Sequence, residues 1–69
     1  MTIQEIKDNL PVLVRVQVSD TLVLTCRVTG RCNDFATVTP VDEGWSHCSW
    51  EFSWQAVARV ITDNTALKV

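Results

Sequence analysis

Cys48-Ser49-Trp50-Glu51-Phe52-Ser53-Trp54 is the stretch on which the reading of this chain turns. Strict alternation puts Cys48, Trp50, Phe52 and Trp54 on one face and Ser49, Glu51 and Ser53 on the other, the pattern of a half-buried β-strand. Each large aromatic side chain can bury about 150 to 250 Å². In a chain of 69 residues such a strand is either one wall of the core or a contact surface.

The residues before it read as more sheet. Val12, Val14, Val16 and Val18 alternate with Leu13, Arg15 and Gln17, and β-branched residues suit a pleated, half-buried surface. After a turn at Ser19-Asp20-Thr21, Leu22, Leu24, Cys26 and Val28 resume the inward face. A hairpin in this register sets Val14 opposite Cys26, Val16 opposite Leu24, Arg15 opposite Thr25 and Arg27 opposite Leu13, so Arg15 and Arg27 become diagonal neighbours outside. Gly30 to Asp34 form the next turn. Residues 35 to 41 form a third strand, on which either Phe35, Thr37 and Thr39 or Ala36 and Val38 face inward. Pro40 has no N–H for a ladder, which assigns it to a strand end, a bulge or an edge.

Residues 42 to 47 read as a polar loop carrying an exposed Trp45. Beyond the aromatic strand, the sequence predicts a single helical turn over residues 55 to 58, a short strand at Arg59, Val60 and Ile61, a turn over 62 to 65, and an edge strand or tail from Ala66. At the other end, Thr2 and Glu5 have the spacing of a capping box. Ile3, Ile6 and Leu10 share a helical face, and Pro11 stops the helix. The expected architecture is a single, mainly all-β domain over residues 1–69: a short N-terminal helix and a five-stranded, small SH3-like barrel, an OB-type barrel fitting the length less well.

Composition narrows the class. With 46% hydrophobic and 20% charged residues and only two glycines and two prolines, the chain is folded rather than disordered. A single core is marginal at this size, which favours help from an oligomer. There is no basic-then-apolar leader and no apolar run of about 20 residues, so a cytoplasmic protein that does not enter a membrane is expected. Three cysteines leave an odd thiol, which argues against a disulfide framework. Cys26 and Cys48 read as small buried hydrophobes, and Cys32 as an exposed turn residue.

The layout resembles the plasmid-borne type II dihydrofolate reductases, short SH3-like chains that form tetramers around a pore. Residues 49 to 61, Ser-Trp-Glu-Phe-Ser-Trp-Gln-Ala-Val-Ala-Arg-Val-Ile, take the place of that family's strand followed by an alanine-containing turn. The resemblance implies oligomerisation but no activity. Trp50-Glu51-Phe52-Ser53 shares no residue with the family's Val-Gln-Ile-Tyr pore segment.

Chemistry-bearing groups are sparse. Cys32, Asp34, His47 and Cys48 lack the paired spacing of a zinc site. His47 is the only histidine and has no nucleophile beside it on its own face. Asp42 and Glu43 read as solvated turn acids. Neither an enzyme nor a cofactor or metal is therefore expected, and an oligomeric small-ligand binder or enzyme on the reductase plan ranks last. A net charge of −2 removes general attraction to nucleic acid. Arg15, Arg27 and Arg31 with Trp45 could still form a local nucleic-acid-binding patch, which is the alternative reading. The favoured reading is a protein-interaction module, self-associating or docking on a larger partner as adaptor, regulator or inhibitor, of the kind mobile elements such as phages and plasmids carry. Its expected contact residues are Trp45, Trp50, Phe52 and Trp54, because the two valine- and leucine-rich strands already fill much of a small core.

Overall fold

The computed structural model describes residues 2–30 and 34–69; the expectations for Arg31 and Cys32 lie outside these residues. Helix α1 spans Ile3–Asp8 and starts on the anticipated capping box. The Glu5 N–H donates to Thr2 Oγ1 at 3.2 Å, and the Thr2 N–H donates to Glu5 Oε1 at 3.3 Å. Ile6 carries the helix into the core and is fully buried.

Strands β1 (Val12–Ser19) and β2 (Leu22–Thr29) form the expected hairpin, with Val14 paired to Cys26, Val16 to Leu24, Arg15 to Thr25 and Leu13 to Arg27. The register shifts between Gln17 and Ser19, a bulge that tightens the connection so that Ser19 pairs with Leu22. Strand β3 (Phe35–Pro40) resolves its facing in favour of Ala36, Val38 and Pro40 inward. Pairing of Val28 with Val38 fixes that choice, because side chains directly opposite share a face. Phe35 is left 49% exposed outside, and Pro40 ends the strand.

The aromatic stretch departs from the expectation at both ends. Strand β4 is only Trp50–Ser53, so Cys48 lies in the preceding loop and is half-buried. Trp54 is the first residue of helix α2, Trp54–Asp63, which replaces the single turn and the strand expected over residues 55 to 61. Ser53 caps it by accepting from the Ala56 N–H at 3.2 Å, and Asn64, at φ 57° and ψ 46°, closes it in the left-handed region. The physical reason is amphipathicity. Trp54, Val57, Ala58 and Ile61 recur at i, i+3, i+4 and i+7, and burying that face outweighs the few tenths of a kcal/mol by which valine and isoleucine disfavour helix.

Strand β5 (Ala66–Lys68) then joins the sheet parallel to β1, completing the order β4-β3-β2-β1-β5. The result is mostly β: one five-stranded sheet curled into a half-barrel on the small SH3-like plan, with the short N-terminal helix before it. The long α2 is where it departs from the reductase-like layout.

The helices cover the inner face. Val14, Val16, Leu24, Cys26, Val28, Ala36 and Val38 of the sheet bury against Ile6, Trp54, Val57 and Leu67. Size complementarity organises this core. Small Ala36 pairs with Phe52, and a Cβ on Gly30 would run into the indole of Trp54. Lys7 Nζ of α1 lies 5.0 Å from the centroid of that ring, a cation–π contact joining the two helices.

Candidate functional site

With both helices on one side, the other face of the sheet is uncovered. Outward positions are set by register: Leu13, Arg15 and Gln17 on β1, Val23, Thr25, Arg27 and Thr29 on β2, Phe35, Thr37 and Thr39 on β3, and Ala66 and Lys68 on β5. Val41 continues the row beyond β3, where its N–H donates to the Thr25 carbonyl at 3.1 Å. Leu13 is 63% exposed, Val23 49% and Val41 45%. These three surround Thr25, while the other exposed large apolar side chains, Phe35 and Val69, lie at the far end of β3 and at the end of β5.

Two shallow grooves open on this side. One, of about 220 Å³, lies where β5 stops short and leaves the β1 edge open; Leu13, Arg15 and Thr25 meet Val60, Ile61 and Asn64 there. The other, of about 400 Å³, is bounded by Arg27, Thr29, Thr39, Val41 and Ser46. Each groove combines one arginine with aliphatic surface.

Arg15 also holds the fold together. Its Nη2 donates to the Asn64 carbonyl at 2.9 Å, with Asn64 Oδ1 at 3.4 Å. A cation at the C-terminal end of α2 offsets the negative end of the helix dipole and satisfies one of its last carbonyls. Arg15 and Arg27 are diagonal neighbours on the outer face, as the hairpin register predicts.

The expected aromatic contact residues do not share one surface. Trp54 is 3% exposed and belongs to the core, because it begins a helix laid across the sheet rather than continuing a strand. Trp50 and Phe52 pair with Val38 and Ala36, so they point to the inner face and are half-buried at the β4 edge. Trp45, in a 3₁₀ turn over Glu43–Trp45, is also half-buried and packs against the core. The alternation places Leu13 and Val23 outward, but neither they nor Val41 are among the expected contact residues. Their signal was the outward position of large aliphatics within an otherwise polar row.

Cys26 is fully buried, with Sγ 3.7 Å from the Leu24 carbonyl. Burial pushes its thiol pKa up, and Asp42 adds to the shift. It is held as the thiol, the unreactive form. Among the described residues, no three of His, Cys, Asp and Glu gather as a metal-binding group, and no helix is long and apolar enough to cross a membrane. Compared with protein families, curated proteins and solved structures, the chain matches none.

Proposed function

We propose that this protein is a small interaction module whose contact surface is the outer face of its sheet, centred on Thr25. One observation carries the reading: Leu13, Val23 and Val41 are exposed together on the sheet face opposite the helices. Contiguous apolar patches with a polar rim are typical of protein contacts. Thr29, Thr37 and Thr39 supply part of such a rim. The nucleic-acid reading draws support from the neighbouring Arg15 and Arg27. It is the weaker of the two, because the chain carries a net charge of −2 and the side chains beside the two arginines are aliphatic, the exposed ring of Phe35 lying at the far end of β3. Trp50 and Phe52 would join a contact only where a partner reaches round the β4 edge.

In-cell photo-crosslinking tests the proposal. A photoreactive residue at Val23 is expected to give protein-containing adducts, and one at Gln55, on the exposed side of α2, is not. Equal expression with no adduct from position 23, or adducts sensitive to nuclease rather than protease, would reject it.

A further inference from the structure

The outer face is charged as well as apolar, and its charge is opposite in sign to that of the chain. Over β1, β2, β3 and β5 its outward positions hold Arg15, Arg27 and Lys68, three of the six basic residues, and no acid. Of the eight acidic residues one, Glu51 on the edge strand β4, shares this face, since it pairs with the outward Thr37; the other seven lie elsewhere. Glu5 and Asp8 are on α1, Asp63 is on α2, and Asp20, Asp34, Asp42 and Glu43 are at turns. A chain of net charge −2 thus presents one face on which three basic residues outnumber a single acid at its β4 edge. On that face the charges alternate with aliphatic side chains, Arg15 beside Leu13 in one groove and Arg27 beside Val41 in the other.

From this charge complementarity we infer that the outer face docks an acidic segment of a partner protein, one in which Asp or Glu alternates with apolar residues. The inference rests on the contact-face reading and adds the chemistry of the partner. Carboxylates suit arginine, whose planar fork can hold them through two parallel hydrogen bonds. The partner's apolar side chains fill the space over Leu13, Val23 and Val41. A second copy of this chain meets the requirement poorly, since a like face would set Arg15 and Arg27 against their own counterparts and repel. Opposite charges across the contact would also speed encounter and reject basic partners.

The probe is a short peptide of repeated Glu-Leu-Ser units, with its Lys-Leu-Ser counterpart and an oligothymidylate as comparisons, titrated into the ¹⁵N-labelled full chain. The acidic peptide is expected to shift the amides of Leu13, Val23, Thr25, Arg27 and Val41, and the basic peptide to shift none. Arg27→Glu should weaken binding at least tenfold while its spectrum stays dispersed. Arg27→Gln and Lys68→Glu should weaken it less, and raising the salt should weaken it further, because the screening length falls from about 30 Å at 0.01 M to about 10 Å at 0.1 M. Equal binding of both peptides, binding of the oligothymidylate in place of the acidic peptide, or full binding by a folded Arg27→Glu overturns the inference. If no peptide binds yet position 23 crosslinks to a protein, the acidic-partner inference fails and the contact face stands. If position 23 also gives no adduct, both fail.

Discussion

Gly30 has no Cβ because the Trp54 indole occupies that space. Gly30→Ala forces the ring or the strand end to move, and overpacking of this kind costs about 1 to 3 kcal/mol; urea unfolding should show that loss with the slope unchanged. Gly44, where an added Cβ meets nothing, is the control: Gly44→Ala should be nearly neutral. Cys26 gives a prediction in pH. Its pKa is raised above the ordinary 9.0 in the folded state, so the folded form keeps the proton after the unfolded chain has released it. The stabilisation is complete below about pH 9 and is lost progressively as pH rises beyond it. Melting curves from pH 7 to pH 10 should therefore fall more steeply for the native sequence than for Cys26→Ala, and equal slopes would refute the assignment. In the native protein, a thiol reagent at neutral pH should modify Cys48 and spare Cys26.

At the level of elements, the junction at Ser53 separates what the sequence revealed from what it hid. The β1–β2 hairpin was legible pair by pair, because four valines and their partners leave one register that buries a whole face. The capping box of α1 was equally legible. Trp54 was misread because it continues the even-numbered alternation of Trp50 and Phe52 by coincidence of position, although its backbone is already helical. The information was present in Ser53 as a cap, Asn64 as a stop and the spacing of Trp54, Val57, Ala58 and Ile61, but short β-branched runs satisfy helix and strand patterns alike. The proposed contact surface was less legible still, since its identity depends on which sheet face the helices cover. Ser53→Ala removes the bond to the Ala56 N–H and should cost about 1 kcal/mol, and Ser53→Asp should retain most of it. For a domain of this size about 1 kcal/mol corresponds to a fall of roughly 4 to 8 °C in Tm.

On the scale of the whole molecule, one curled sheet with helices on a single side leaves two kinds of open surface: the outer face and the two strand edges. The order β4-β3-β2-β1-β5 puts β2 at the centre, hydrogen-bonded on both sides, and β4 at an edge with only four residues. Opening free energies in a folded chain range from near zero at frayed edges to the global value at the centre. Amide exchange of the isolated protein should therefore be slowest in β2 and the facing parts of β1 and β3, and much faster in β4. The same measurement separates the edge from the face as a place of contact. If copies of the chain associate by adding strand to strand at β4, its exchange slows as protein concentration is raised; if contact occurs through the outer face, β4 exchange is independent of concentration, and only a bound acidic partner alters protection around Thr25. The charge distribution favours the second outcome, because the cationic face repels its own copy, and slowing confined to β4 would show that the half-buried Trp50 and Phe52 are the contact the chain uses.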